Sequence, residues 1–238
     1  MTRPLVRLPR SALSGAFFVV YGLFALPLAV LLPFMTRRAG RMSVRMLYRL
    51  FVFLARTTGL YAVKFDPPPE APDGRGRVIV MNHVSLIDIY VLLANLPDSI
   101  CIAKASAKSN PFHSVVVNRL MIANDSGGEK TVADAVRHIA DGVNVVVFPQ
   151  GTRGGESLRR GAARIALAAR CDVVAYRISY DPVVLAKGQP WWDVGDKVIR
   201  VSVALRGTLR AEGPNDRPAA VAMTEGIRRL IMGDGEQG

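Results

Sequence analysis

The order of apolar and polar positions divides the chain into an apolar N-terminal part and a longer part of alternating short runs. Residues 11–36 contain no charged side chain, and a helix of that length can cross a hydrocarbon layer of about 30 Å. Pro27 and Pro33 lie within this stretch, and because proline kinks or ends a helix, a bent and partly inserted helix fits equally well. Arg37 and Arg38 follow without a typical cleavage site, so the stretch is expected to persist in the mature chain.

Residues 42–60 show the periodicity of a second, amphipathic helix. Arg41, Arg45, Arg49 and Arg56 fall within an arc of about 80° on a helical projection, and apolar side chains cover much of the remaining surface. This pattern predicts an interfacial helix with a narrow basic stripe. Arginines flank the apolar stretch on both sides, so its orientation is not fixed and a re-entrant helical pair is open. A buried helical hairpin of a soluble core is the alternative.

Beyond the N-terminal helices, short β-branched runs alternate with helical patterns. One amphipathic helix is predicted between Val132 and Gly142, and a last helix over residues 219–232. The predicted strands are residues 78–81, 99–103, 121–123, 143–148, 173–179 and 198–204. The alternation predicts an α/β fold with a mixed, largely parallel sheet flanked by helices. The expected domains are the membrane-anchoring helices of residues 1–60 and an α/β domain of residues 61–238.

The charge distribution limits the partners that can be expected. The formal net charge is +12, and the first 60 residues hold nine arginines and no acidic residue, whereas the rest holds 22 basic and 19 acidic residues. A nucleic-acid-binding domain would carry its basic stripe on the folded part, so no nucleic-acid partner is expected. The two cysteines, Cys101 and Cys171, lack the spacing of a metal site, which predicts free thiols, no metal and no cofactor. The sequence does not indicate an oligomeric state.

The first candidate site follows the strand predicted at residues 78–81, in the run Asn82-His83-Val84-Ser85-Leu86-Ile87-Asp88. Ser85 and Asp88 have the spacing of a helix-capping box, which is an ordinary structural role. That role leaves His83 unexplained. On one helix His83 and Asp88 would point about 140° apart, but a histidine in the turn lets the carboxylate reach back to it. A carboxylate on one imidazole nitrogen leaves the other nitrogen as a base near neutral pH. The residues alone leave both the structural and the catalytic interpretation open.

The second candidate site is a turn after the strand predicted at residues 143–148, with the sequence Pro149-Gln150-Gly151-Thr152-Arg153. Glycine lets the backbone approach a ligand closely, and the planar guanidinium of Arg153 suits a phosphate group. An ordinary turn with a solvated arginine is the alternative at this point.

The two loops resemble the N-H-x-x-x-x-D and F-P-E-G-T-R blocks of the glycerolipid acyltransferases, the family of 1-acylglycerol-3-phosphate acyltransferases. Their order and their separation of about 65 residues make the pair more specific than either block alone. The resemblance implies that His83 is a general base oriented by Asp88, and that no covalent acyl-enzyme forms. It also implies acyl-CoA or acyl-carrier protein as the acyl donor and a lysophospholipid acceptor, with 1-acylglycerol-3-phosphate giving phosphatidate as the first candidate.

The same resemblance suggests the residues that hold the acceptor. Lys104 matches a lysine of the family's intermediate block, and Arg160 lies in a stretch similar to the basic-residue–Gly–Ala segment. The expected acceptor-binding and phosphate-binding residues are Lys104, Gln150, Gly151, Thr152, Arg153 and Arg160. The N-terminal helices resemble the membrane-embedded pair of bacterial members, which implies contact with membrane lipids at the cytoplasmic face of a bacterial inner membrane.

Three departures from the family pattern lie on the acceptor side. Gln150 replaces the usual glutamate, Asn124-Asp125-Ser126 replaces an Ile-Asp-Arg ending, and Val174-Ala175-Tyr176 lacks the proline of a V-P-V block. The acceptor could therefore be a lyso-ornithine lipid, another lysophospholipid or a secondary-metabolite lipid. A catalytically silent lipid-binding homologue is the alternative outside the enzymes.

Overall fold

The fold is built on a seven-stranded sheet in a computed structural model that describes residues 4–69, 74–104, 120–124, 128–155, 157–189 and 197–233. The strands are β1 (Tyr61–Phe65), β2 (Val78–Met81), β3 (Ser99–Lys104), β4 (Ile122–Asn124), β5 (Asn144–Val147), β6 (Val173–Asp181) and β7 (Ile199–Leu209). The helices are α1 (Pro4–Leu31), α2 (Arg37–Thr57), α3 (Asp88–Asn95), α4 (Gly128–Ala140), α5 (Gly161–Ala169) and α6 (Arg217–Met232).

The strand order is β1-β7-β6-β2-β5-β3-β4, and the sheet is mixed: β6, β2, β5, β3 and β4 are parallel to one another. Only the β6–β7 pair is antiparallel, and β1 pairs in parallel with β7. The prediction of a mixed, largely parallel sheet is confirmed. Val80 of β2 pairs with Val147 of β5, so the two candidate loops leave the sheet at the same edge.

The strand predictions differ from the structure mainly at the antiparallel end of the sheet. Strand β1 was not predicted, because only Tyr61 of its five residues is fully buried and the strand lies at the sheet edge. Strands β6 and β7 run past their predicted ends, since one face of each is exposed and carries polar side chains such as Arg177 and Arg206. Apolar alternation alone marks only the buried half of such strands.

Apolar layers cover both faces of the sheet. On one face α1, α2 and α3 contribute side chains such as Phe17, Phe51 and Leu92. On the other face α4, α5 and α6 contribute Ile139, Ile165 and Ile227, among others. The N-terminal helices therefore pack on the same core as the α/β part.

Helix α1 continues through Pro27 and is followed by a short 3-10 turn at Leu32–Phe34. By length and composition, the stretch Ala12–Phe34 is a candidate membrane span. Large apolar side chains that are more than half exposed on it are Val19, Leu23, Phe24, Leu26, Val30, Leu31 and Phe34. An outward apolar face of this size fits lipid better than water.

Two arginines of the predicted basic stripe of α2 contact the α/β domain, although Arg49 stays exposed while Arg41 is partly buried. Arg41 forms a two-point ion pair with Asp98 at 2.7 and 2.8 Å, and the Arg49 Nε donates to the Ala94 carbonyl at 3.1 Å. Met42 and Phe53 are also exposed on this helix. The Arg41 contact was not predicted because its acidic partner lies 57 residues along the chain, in the α3–β3 turn.

Candidate active site

The His83 imidazole and the Asp88 carboxylate meet in the loop between β2 and α3. The loop residues are not helical, and α3 begins at Asp88 itself, so the aspartate can turn back over the loop. His83 Nδ1 lies 2.8 Å from Asp88 Oδ2. Asp88 is fully buried, whereas the His83 side chain keeps 23% of its surface exposed. The pair therefore has the arrangement of a base that solvent or substrate can reach and a shielded partner that orients it.

Asp88 receives hydrogen bonds on both of its oxygens. Besides His83, Oδ2 accepts from the backbone N–H groups of Val84 at 2.7 Å and Ser85 at 3.0 Å. Oδ1 accepts from the Tyr180 hydroxyl at 2.5 Å. A carboxylate removed from water needs such donors to offset its lost hydration, and these contacts supply them. Only half of the capping-box interpretation is observed: Asp88 accepts from the Ser85 N–H, but the Ser85 hydroxyl does not cap α3, whose N-cap residue is Ile87.

The carboxylate determines which imidazole nitrogen can act as a base. With Nδ1–H donating to Asp88, the lone pair is on Nε2. The ring also packs on Phe148, with centroids 4.5 Å apart and planes inclined by 30°. The stacking and the Nδ1 contact together restrict how the ring can turn, so Nε2 is held in one direction.

Tyr180 was missed by the sequence analysis although it touches the predicted pair. It lies on β6 and is 92 residues from Asp88 along the chain. Burial, and secondarily the Asp88 carboxylate, raises the pKa of Tyr180 well above its usual value, so the hydroxyl stays protonated and donates. A buried tyrosine near the end of a strand was the only signal available.

Asn82 has a two-way contact that fixes the start of the loop. Its Nδ2 donates to the Ile178 carbonyl at 2.9 Å, and its Oδ1 accepts from the Ile178 N–H at 2.7 Å. The side chain thus occupies a backbone-like position against β6, where the sheet pairing of β2 has ended. Sequence reasoning gave Asn82 no role, yet it is the residue that sets where His83 leaves the sheet.

Gln150 joins the two candidate loops. Its Oε1 accepts from the His83 backbone N–H at 2.5 Å, and its Nε2 donates to the Gly155 carbonyl. The Gly154 N–H in turn donates to the His83 carbonyl at 2.9 Å. A glutamine amide can both accept and donate a hydrogen bond, whereas an ionised glutamate could accept but not donate. The structure thus gives the departure at Gln150 a bracing role, and its predicted contact with the acceptor stays a prediction.

Arg153 also braces the loops. Its Nη1 donates to the carbonyls of Leu185 at 2.7 Å and Ala186 at 3.3 Å. The Leu86 N–H reaches the same Leu185 carbonyl at 3.2 Å, so this segment ties both loops together. One guanidinium nitrogen of Arg153 therefore already donates to backbone carbonyls. The predicted contact of Arg153 with a phosphate stays a prediction.

The structure adds Arg159 to the cations around the second loop. Gly151 has a φ of +68°, a conformation that favours glycine, and a Cβ placed there would meet the Arg159 Nε at 3.4 Å. Arg160 is exposed and immediately precedes α5. Lys104 ends β3, but its side chain is not among those the structure describes.

The remaining predicted features divide between the described and undescribed residues. Asn124 ends β4 and is exposed, while Asp125 and Ser126 lie outside the described residues. Both cysteines are buried and free. Over the part of the chain that the structure describes, no three His, Cys, Asp or Glu side chains form a group that could hold a metal ion. The prediction that no metal or cofactor is used stays a prediction.

Three comparisons bear on this geometry. Residues 62–179 match the family model described as Acyltransferase. A 1-acyl-sn-glycerol-3-phosphate acyltransferase of Helicobacter pylori (strain J99) is 34% identical over 88 residues, which are 34% of this chain and 37% of that protein. A lyso-ornithine lipid O-acyltransferase of Rhizobium meliloti (strain 1021) is 28% identical over 148 residues, 60% of this chain and 48% of that protein. Each match thus covers less than half of the relative's length.

A solved structure supports the fold over nearly the whole chain. The 1-acyl-sn-glycerophosphate acyltransferase of Thermotoga maritima superposes with a TM-score of 0.63 over 94% of this chain and 97% of that chain, at 21% identity. The matched family segment, residues 62–179, contains β2, the His83–Asp88 loop and the Gln150–Arg153 turn. Through that segment, the chain belongs to the acyltransferase family.

Proposed function

We propose that this chain is a membrane-associated O-acyltransferase that moves a fatty acyl group from a thioester to a hydroxyl of a lysophospholipid. The observation that carries the proposal is the contact of 2.8 Å between His83 Nδ1 and the buried Asp88 carboxylate. A histidine oriented in this way is suited to take a proton from an alcohol near neutral pH. The family match of residues 62–179 supports acyl transfer as the reaction class.

The proposed reaction uses a single histidine as base and then as acid. Nε2 of His83 takes the acceptor's hydroxyl proton as that oxygen attacks the thioester carbonyl, and Asp88 stabilises the resulting imidazolium. When the tetrahedral intermediate collapses, the C–S bond breaks, and the imidazolium returns the proton to the leaving thiolate. The products are an ester and a free thiol on coenzyme A or the carrier protein. No enzyme side chain needs to be acylated.

The first candidate acceptor is 1-acylglycerol-3-phosphate, which would give phosphatidate. Its phosphate would be held by Lys104 and Arg153, with Arg159 and Arg160 nearby and the Gln150–Thr152 backbone forming the adjacent turn. The alternative acceptor is a lyso-ornithine lipid. That alternative is favoured by the relative from Rhizobium meliloti, which aligns with 60% of this chain, and by the absence of an arginine at residues 124–126. A silent lipid-binding homologue is the alternative without catalysis.

Membrane association is supported by the exposed apolar face of α1. That face fits poorly with the alternative of a helical hairpin buried in a soluble core. The proposed location is the cytoplasmic face of a bacterial inner membrane, because coenzyme A and acyl-carrier protein are cytoplasmic donors.

A screen of donors against acceptors tests the proposed function. The purified chain is incubated with an acyl donor, either acyl-CoA or acylated acyl-carrier protein, and with 1-acylglycerol-3-phosphate or lyso-ornithine lipid. The masses of the products are measured by mass spectrometry. We expect thiol release together with an acceptor whose mass has increased by one acyl group. Lipid binding without product for every donor would instead support the silent homologue.

Charge removal at the second loop distinguishes phosphate-bearing from phosphate-free acceptors. In Arg153→Gln and Arg159→Gln, we expect KM for 1-acylglycerol-3-phosphate to rise by about tenfold, because a charge-assisted hydrogen bond contributes about 1.5–3 kcal/mol. The exposed Arg206 on β7 offers a control, Arg206→Gln, with the same loss of charge away from the loop. A rise of equal size for a phosphate-free acceptor would argue against a phosphate contact.

Removing the Tyr180 hydroxyl tests the orientation of Asp88. In Tyr180→Phe, we expect kcat to fall by about 10- to 100-fold with little change in KM, because a hydrogen bond to a charged group contributes about 1.5–3 kcal/mol. The matched control is Tyr176→Phe. Tyr176 lies four residues earlier on β6, and its buried hydroxyl makes no hydrogen bond to any described residue. If both variants lose activity equally, Tyr180 matters for packing alone.

A further inference from the structure

The seam between α2 and the α/β domain contains an arginine without a hydrogen-bond partner among the described residues. Arg41 and Arg49 each bond to the domain, as described above, and Arg45 lies between them, four residues from each. The Arg45 Nε is buried and has no hydrogen-bond partner among the described residues. This position differs from its neighbours in that no described group hydrogen-bonds it, although the Asp98 charge is close enough to favour the guanidinium.

A cavity of about 120 Å³ lies beside Arg45 in this seam. Arg38, Arg41 and Arg45 line it from α2, and the opposite side includes the Asp98–Ser99 turn at the start of β3. Asp98 is the only acidic residue among the described lining, and it is already paired at two points with Arg41. The charges of Arg38 and Arg45 are therefore left unbalanced within the described lining.

The energetics at Arg45 indicate an anionic ligand. Burial, and then the Arg49 charge, lowers the pKa of Arg45, and the Asp98 charge offsets only part of this, so the protonated guanidinium is incompletely compensated. A cation withdrawn from water is stabilised by an anion that it can hydrogen-bond. The planar fork of a guanidinium matches a phosphate group, and the cavity has room for a group larger than one water molecule.

The side chains at the rim of the cavity indicate that the phosphate belongs to a lipid rather than to free phosphate. Met42 lines the cavity and keeps 65% of its surface exposed, and Met46, one turn further along α2, is also exposed. A phosphate held between the arginines could therefore have acyl chains running over the outer apolar surface of α2. Free phosphate would use the arginines but not this apolar rim.

The cavity is separate from the proposed catalytic pair. Cys101 on its floor pairs with Val146, which also pairs with Ile79 of β2. Ile79 lies four residues before His83, which corresponds to roughly 13 Å along a strand at about 3.3 Å per residue. The Asp98–Ser99 turn lies further still from the sheet edge that carries His83.

We infer that this seam cavity binds the head-group phosphate of an anionic membrane phospholipid through Arg38 and Arg45, with Arg41 held beside them by Asp98. The bound lipid fastens α2 to the α/β domain. Binding there is independent of acyl transfer, so a chain without catalytic activity would still bind the lipid.

The test uses the full chain in non-ionic detergent micelles and follows thermal unfolding. Phosphatidylglycerol, phosphatidylcholine or inorganic phosphate is added at constant ionic strength. We expect phosphatidylglycerol to raise the Tm along a saturating curve, since a ligand that binds only the folded state stabilises it. In Arg45→Gln and Arg38→Gln, the half-saturating mole fraction of lipid should rise about tenfold, as the loss of one charge-assisted hydrogen bond predicts.

Arg56→Gln is the matched control, because Arg56 is exposed on the same helix outside the cavity. It should leave the half-saturating mole fraction within about twofold of the wild-type value. If the half-saturating mole fraction rose equally in Arg56→Gln, the lipid would be attracted diffusely to the basic surface. If it rose only in Arg159→Gln, the lipid would bind at the second loop. Either result overturns the inference. Equal stabilisation by inorganic phosphate would overturn the assignment to a lipid.

The Tm of each variant without lipid shows whether that variant still folds. Arg45→Gln removes a guanidinium that hydrogen-bonds no described residue, and it should not lower the Tm in the absence of lipid. Arg41→Gln breaks the pair with Asp98 and should lower it. A marked loss of stability in lipid-free Arg45→Gln would show that the guanidinium is compensated within the protein, which contradicts the inference.

Discussion

Replacing His83 by alanine is expected to lower kcat by about 10²- to 10⁴-fold, the usual contribution of a general base. The physical reason is that the variant lacks Nε2, the atom that takes the hydroxyl proton in the proposed mechanism. The measurement is thiol release from the acyl donor in the presence of a lysolipid acceptor.

His138→Ala provides the matched control for the His83 variant. His138 lies on α4, where burial, then the Arg41 and Arg37 charges, lower its pKa and favour the neutral ring. It shares the side chain of His83 but not the contact with Asp88, so its removal should leave kcat unchanged. Both variants should retain the Tm of the wild type within a few degrees. A wild-type rate for His83→Ala would overturn the proposed mechanism.

The sequence was sufficient to place the two candidate loops at one edge of the sheet. Apolar runs with β-branched residues end directly before Asn82 and Pro149, and neighbouring parallel strands end on the same side. The contact between His83 and Asp88 could also be predicted, because the spacing excludes a meeting on one helix and allows one across a turn.

Contacts between residues far apart in the chain could not be predicted. Tyr180 reaches Asp88 across 92 residues, and only the pairing of β6 beside β2 brings them together. Arg41 looked like an outward charge because its partner, Asp98, lies outside the segment that defines the helical pattern. Periodicity reveals which face a residue occupies, but it does not reveal what the fold packs against that face.

Gln150 shows how a local substitution takes its meaning from the fold. In the sequence it is only a missing charge beside a turn. In the structure its amide accepts from the His83 N–H and donates to the Gly155 carbonyl, so it spans the two loops that carry the candidate site. The departure is compatible with the His83–Asp88 geometry, because the bracing contacts need a donor and an acceptor rather than a charge.

Replacing Asp88 by asparagine is expected to lower kcat on the order of 10³-fold while the chain remains folded. The asparagine oxygen can still accept from Val84 and Ser85, and its NH₂ group can donate to the Tyr180 hydroxyl. What is lost is the negative charge that stabilises the imidazolium formed at His83. Rates are measured as for His83→Ala, with the Tm as the check on folding.

Two comparisons separate this electrostatic role from a structural one. Asp216→Asn is the matched control, because Asp216 caps α6 by accepting from the Ala219 N–H at 2.9 Å, and asparagine caps helices equally well. It should leave kcat unchanged. If Asp88 acts through His83, the double variant His83→Ala/Asp88→Asn should be no slower than His83→Ala alone, since residues that act as a unit are not additive. Losses that multiply in the double variant would show that Asp88 contributes independently of His83, contrary to the proposed mechanism.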